Sequence, residues 1–445
     1  MSRLARRLTP VLTGVLTHPR TRDARRLAAE GLRRLRREPH RVHYFHQPDD
    51  PYSHLAAQVL EALVARYDVE LAPHLVGPPT DEAAPERGLL EAFARKDAAD
   101  VAPGYGLEFP RVRQAPTRAD LDLAARLLAG ALAAGAFAER AAGVGRSLWA
   151  GDRDGLEKWS AEIRPAAAGR TRAAAAAGDA LRRRLGHYLG ATFHYAGEWY
   201  WGVDRLWHLE RRLRAVGALR PGAPAAPIAP RPELSQAPPV RSTRRLRLEF
   251  FPSLRSPYSA IAMGRALALP GRLPVDLVLR PVLPMVMRGL PVPAAKRLYI
   301  LLDAAREAAD AGEPFGRVSD PVGRPVERAF SLYPFARAEG RGAELLACFT
   351  RAAFAEGVDT GGDAGLRRVV ERAGLSWQEA RRHLGDESWR AELEENRRVL
   401  FESGLWGVPS FRLLGENAEP DFCTWGQDRI WRVEEEIRRR LAGTA

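Results

Sequence analysis

The stretch Leu248–Met263, LEFFPSLRSPYSAIAM, constrains the fold of this chain more than any other. Leu246, Leu248, Phe250 and Phe251 form an apolar, aromatic run that reads as a buried strand. After a short turn, Ser256 stands where a helix N-cap belongs, with Pro257 in the first turn. A strand feeding a helix in this way sets a hydroxyl at the electropositive end of the helix. Alone, such a Ser-Pro is ordinary capping chemistry. Here the pattern is repeated: Pro51-Tyr52-Ser53 matches Pro257-Tyr258-Ser259 at an offset of 206, and Val69-Glu70-Leu71 matches Val275-Asp276-Leu277 at the same offset. Further on, Trp201-Gly202-Val203-Asp204-Arg205 answers Trp425-Gly426-Gln427-Asp428-Arg429. Three matches in one order point to a tandem duplication.

The rest of the chain follows that plan. Residues 41–76 read strand, helix, strand; residues 80–185 are rich in Ala, Leu and Arg and read as mostly helical. A strand is expected at 191–195 and a helix over 199–216. The second unit reads strand 244–251, helix 257–269, strand 273–282, a helical block over 293–403, strand 410–414, a hairpin partner at 420–423 and a closing helix over 425–441. Between the two units, residues 217–243 are rich in Pro and Ala and read as an extended linker. The expected domains are an arginine-rich helical tail (1–40), a first α/β unit (41–216), the linker (217–243) and a second α/β unit (244–445).

Composition excludes several function classes. Two cysteines, Cys348 and Cys423, without Cys-x-x-Cys argue against a disulfide scaffold, a cysteine zinc site and dithiol exchange, and suit a reducing, cytoplasmic setting. No apolar run is long enough to span a membrane, and no small-residue cleavage site follows the basic start. Residues 1–40 hold eleven arginines against Asp23, Glu30 and Glu38, so they carry +8 of the chain's +13. Such a segment reads first as a solvated helix face, with anionic lipid or nucleic acid as possible contacts. Nucleic acid is disfavoured because no aromatic residue interleaves with the arginines.

With the motifs in place, the second unit resembles the DsbA-like thioredoxin proteins that lack Cys-x-x-Cys, namely 2-hydroxychromene-2-carboxylate isomerases and kappa-class glutathione transferases. The resemblance covers 245–441 and rests on SPYS after the first strand, LRPVL (279–283), Lys296-x-x-Tyr299, WGVPSF (406–411) and WGQDR (425–429). It implies an α/β fold of two tandem thioredoxin-like domains, each with a helical insertion. It also implies glutathione, or another low-molecular-weight thiol, as cofactor and a small electrophilic aromatic substrate. Ser256 would be catalytic, its hydroxyl donating to the cofactor sulfur. Pro257, Tyr258, Lys296, Val408, Pro409, Gln427 and Asp428 would bind the cofactor. Val408-Pro409 would be a cis peptide presenting backbone to the cysteinyl segment, Lys296 would meet the glycyl carboxylate, and Gln427 with Asp428 would hold the γ-glutamyl end.

The sequence also departs from that pattern. The loop after Arg280-Pro281 supplies no asparagine, and Glu327 stands at a second polar position near the site. In the first unit Asp50 replaces the serine, and Gly190-Ala191-Thr192-Phe193 lacks the proline, so residues 41–215 are expected not to bind the cofactor. His43, His46, Asp49, Asp50 and His54 suggest a metal cluster, but strand alternation separates His43 from His46 and no metal is expected. A DsbA-like binding protein without dithiol activity stays open as the alternative function, as does a homodimer.

Overall fold

A computed structural model describes residues 3–111, 115–416 and 419–442, with side chains from residue 8 onward. The chain divides into two compact units, Ala24–Pro232 and Met1–Asp23 with Glu233–Ala445.

In the first of these, β1 (Arg41–His46), β2 (Glu70–Leu75), β3 (Thr192–Tyr195) and β4 (Glu198–Trp201) form a sheet of order β2-β1-β3-β4. In the other, β5 (Leu246–Phe251), β6 (Val275–Leu279), β7 (Ser410–Leu413) and β8 (Phe422–Trp425) form a sheet of order β6-β5-β7-β8. In each sheet the first pair is parallel and the remaining two are antiparallel. A parallel pair needs a helical crossover, which the segments after β1 and β5 provide. The registers correspond too: Phe45 faces Thr192 and Thr192 faces Trp201, while Phe251 faces Ser410 and Ser410 faces Trp425.

Strand alternation sends Leu248 and Phe250 to one face of β5. There Phe250 stacks on Phe411, with ring centroids 4.9 Å apart, in a core completed by Phe330, Phe349 and Trp389. Each such phenylalanine contributes about 2–3 kcal/mol through burial alone.

Three expectations need correcting. Residues 199–201 form β4 instead of opening a helix. Ala196 and Gly197 both take positive φ (44° and 83°), the two-residue turn that twists a hairpin closed, and the helix begins only at Leu206. Likewise Trp425 ends β8, and the closing helix runs over Ile430–Ala442. The expected single helix after β1 is two, Pro51–Ala57 and Leu60–Arg66.

The arginine-rich start folds as helices Arg3–Thr17 and Pro19–Arg36. The first is docked and not merely solvated: it packs against helix Ala294–Ala311, and Thr13 Oγ1 accepts the Val318 N–H at 2.9 Å. The Pro/Ala-rich stretch is extended but pinned on each side. Within the first unit Ile228 N–H donates to Glu210 at 3.1 Å and Ala229 is fully buried. Within the second, Ser235 N–H donates to Glu434 at 3.2 Å and Val240 N–H to the Arg272 carbonyl at 3.0 Å. Among the described residues no helix is long and apolar enough to cross a membrane.

Candidate active site

At the end of β5 the chain turns into helix Pro257–Leu267. Ser256 is its N-cap, in extended backbone, and its Oγ accepts the Ser259 N–H at 3.1 Å. The turn before it is clamped at both ends. Arg255 makes a two-pronged ion pair with Asp320 at 2.7 Å, and the buried Ser259 hydroxyl accepts the Ser253 N–H at 3.1 Å. The Ser256 hydroxyl donates across 3.4 Å to the Val408 carbonyl, a long and weak bond. The Val408–Pro409 peptide is cis, as the resemblance implies, and the Pro409 carbonyl accepts the Gly426 N–H at 2.9 Å. Gly407 is required beside it, because a Cβ there would lie 2.2 Å from the Trp425 ring.

Lys296 opens helix Ala294–Ala311, its ammonium 6.0 Å from the centre of the Trp406 ring. Burial pulls its pKa down to about 8, since an ammonium loses hydration there. Trp406 packs on Trp425 with ring centroids 5.2 Å apart, which ties the Lys296 end to the Val408 loop.

Gln427 lies where β8 passes into the last helix, and its side chain is buried. The amide donates to Glu307 at 2.8 Å and its oxygen accepts from Arg265. Both ends of the Gln427 amide are thus engaged within the fold. Asp428 is mostly buried and pairs with Arg429 at 3.5 Å.

Ser256, Pro257, Tyr258, Val408 and Pro409 therefore meet at one junction, with Lys296 beside Trp406 and Gln427 tied to the far end of the same helix through Arg265. Apart from Tyr258 and Tyr299, which the motifs already mark, several residues that complete this region were not read from the sequence. Tyr258 donates to Asp303 at 2.8 Å, and Asp303 accepts from Arg306 at 2.5 Å. Tyr299, Asp303, Arg306 and Glu307 are all buried on helix Ala294–Ala311. Their i, i+4, i+7, i+8 spacing was the available signal, masked because charged residues at such positions are usually taken for a solvated stripe. An asparagine does appear, from elsewhere: Asn396 donates to the Pro281 carbonyl at 3.0 Å and accepts from Arg280 at 3.2 Å. Glu327 is substantially exposed and lies 3.9 Å from Arg390.

The corresponding junction in the first unit is built alike but carries different chemistry. Asp50 caps helix Pro51–Ala57, accepting the N–H groups of Tyr52 and Ser53 and the Ser53 hydroxyl at 2.8 Å. Burial pushes its carboxyl up to about 6 despite these donors. At the place of Pro409 stands Ala191, in left-handed backbone with φ of 54°, and its carbonyl accepts the Gly202 N–H at 2.7 Å. His46 and His54 are buried, and loss of hydration pulls both down to about 3. His46 bonds Tyr44 at 2.9 Å, whereas His43 sits on the other face of β1, 3.0 Å from His74. Among the described residues no group of three His, Cys, Asp or Glu is placed to hold a metal ion.

A cavity of about 510 Å³ is lined by Ala347, Cys348, Arg351, Glu356 and Arg372, none of them at the junction. Neither cysteine is in a disulfide; Cys348 is half-buried and Cys423 buried.

Residues 247–438 match the family described as DSBA-like thioredoxin domain. No curated protein sequence matches the chain. Among solved structures, a 2-hydroxychromene-2-carboxylate isomerase is 20% identical with a TM-score of 0.38, covering 44% of this chain and 97% of its own. The cytosolic disulfide reductase DsbM from Pseudomonas aeruginosa is 24% identical with a TM-score of 0.36, covering 44% of this chain and 100% of its own. It is also known in a structure with GSH, at 23% identity, a TM-score of 0.34 and the same coverage. These similarities span less than half of the chain, and the fold assignment rests on the family match. Residues 247–438 are a DSBA-like thioredoxin domain.

Proposed function

We propose that the second unit is a thiol-dependent isomerase or transferase of the 2-hydroxychromene-2-carboxylate isomerase type. The observation that carries this reading is the Ser256 hydroxyl, which caps the helix start after β5 and faces the Val408 carbonyl, with no cysteine at the junction. A serine cannot form a mixed disulfide, so dithiol exchange is chemically closed to this site. Glutathione, or another low-molecular-weight thiol, would supply the nucleophilic sulfur that the chain itself lacks.

The donor set fits such a cofactor. Ser256 O–H has only a long bond to give up, and can turn to hold a sulfur in its ionised form beside the helix start. The Val408 backbone lies within reach of the same hydroxyl and would align a peptide-like segment. Lys296, seated by Trp406, would meet a carboxylate, which restores the charge stabilisation its burial removes. Pro257 and Tyr258 fix the helix start. Gln427 would act by positioning the last helix, leaving Asp428 to face the ammonium end. The substrate would be a small electrophilic aromatic compound.

The internal bonds of Gln427 also favour a second reading, a binding protein of this fold without catalysis. Calorimetry with glutathione separates the two. Binding by the native chain that is lost in Ser256→Ala and weakened in Asp428→Ala supports the first; no heat with glutathione or related thiols leaves only the second.

The first unit is read as a degenerate copy of the second. What supports this is the shared strand order and the matching registers, along with two hydrogen bonds repeated at the 206-residue offset. Tyr52 donates to Asp97 at 2.9 Å as Tyr258 does to Asp303, and Ser53 accepts from Gln47 N–H as Ser259 does from Ser253 N–H, each at 3.1 Å. Asp50, a carboxylate where the hydroxyl stands in the second unit, would repel a thiolate.

A further inference from the structure

The helix Arg3–Thr17 is docked with its apolar side outward. An amphipathic helix ordinarily buries its apolar stripe. Here the residues facing the second unit are Pro10, Thr13, Gly14 and Thr17, at i, i+3, i+4 and i+7. Thr13 accepts the Val318 N–H, a Cβ on Gly14 would lie 3.0 Å from the Arg317 side chain, and one on Gly357 would lie 2.6 Å from Pro10. Glycine on both sides makes this a close and specific seat. The opposite stripe, again i, i+3, i+4 and i+7, is Leu8, Val11, Leu12 and Val15, exposed by 48%, 54%, 66% and 59%. The helix beneath, Ala294–Ala311, adds exposed Leu298 and Leu302.

We propose that this outward stripe is a docking face for an anionic lipid surface. The charge of the adjoining sequence selects the partner: Arg3, Arg6 and Arg7 precede the stripe and Arg20 and Arg22 follow it, so residues 1–23, which belong to the same unit, carry +4 with Asp23 counted. Leucine and valine on one side of a helix, with arginines about its ends, is the arrangement that lies in the headgroup region of a negatively charged leaflet. A second copy of the chain would cover the leucines but bring two arginine-rich segments together. Nucleic acid would satisfy the arginines and leave the leucines in water. The lipid surface satisfies both.

The test is sedimentation of the full chain with vesicles of phosphatidylcholine alone and with phosphatidylglycerol added. Binding is expected only to the phosphatidylglycerol vesicles, weakened by high salt because the attraction acts over about a Debye length. The double variant Val11→Ser/Leu12→Ser, both positions exposed, should retain its melting temperature and bind at least tenfold more weakly. No sedimentation with either vesicle, or equal sedimentation with both, overturns the proposal. So does a dimer in the absence of lipid that the double variant abolishes, which would assign the stripe to a second copy.

Discussion

The Tyr258 hydroxyl donates to Asp303 at 2.8 Å and so ties the helix that begins at Ser256 to the helix that carries Lys296. Asp303 is almost wholly buried, and its other oxygen is held by Arg306. Removing the phenolic donor leaves a buried carboxylate short of one partner, at a cost of about 1–3 kcal/mol. Tyr258→Phe is therefore expected to lower the unfolding free energy of the second unit by that amount, and with it the urea midpoint, and Tyr52→Phe to do the same to the first through Asp97. An unchanged midpoint in urea titrations of both variants would mean that these bonds are incidental.

The two duties of Ser256 can be separated. Ser256→Ala removes the cap and the hydroxyl together and should cost about 1 kcal/mol of stability as well as thiol binding. Ser256→Asn retains a capping oxygen, so its stability should match the native chain while glutathione affinity still falls at least tenfold. Calorimetry and thermal melts on the pair check this. Full affinity in the asparagine variant would remove Ser256 from the proposed chemistry.

Lys296 should give a pH signature. Its pKa is pulled down to about 8, so the ammonium that would meet a carboxylate is lost as pH rises through 8. Affinity for S-methylglutathione, which has no ionisable thiol, should decline above that point, and Lys296→Met should abolish the decline. The stability sign is opposite: between about 8 and the unfolded value of 10.5 the unfolded chain binds the proton more tightly, so stability rises with pH. Lys296→Met is accordingly expected to melt higher than the native chain at neutral pH.

Acid should open the first unit before the second. Burial pulls His46 and His54 down to about 3 and His74 and His194 down to about 4. The stability they confer is complete above the unfolded value near 6.5 and is lost as pH falls toward those folded values, because the unfolded chain takes up protons that the folded one refuses. Asp50, pushed up to about 6, and Glu210, raised by burial, work in the other direction, but they are two groups against six, since burial lowers His40 and His43 as well. The second unit contains only His18 and His383. Hydrogen exchange on the full chain at pH 7 and at pH 5 should show β1 losing protection while β5 keeps it.

Much of this protein is legible without coordinates. The 206-residue offset, the alternation of β5 and the Ser-Pro start of its helix all depend on local rules of capping and periodicity, and a linear string preserves them. The same offset relates the Tyr52–Asp97 and Tyr258–Asp303 bonds, but the bonds themselves came only from the structure. Tertiary structure decided matters that depend on what lies across the chain. β4 replaced an expected helix because the turn at Ala196-Gly197 lets it pair with β3, and pairing is a long-range gain that outweighs local helix preference. Gln427 became an internal strut because Glu307, 120 positions earlier, reaches its amide. Likewise the outward turn of Leu8, Val11, Leu12 and Val15 could not be read from their spacing, which is equally suited to burial. It was fixed by the Val318 N–H, which Thr13 accepts, and by the glycine contact that admits Pro10.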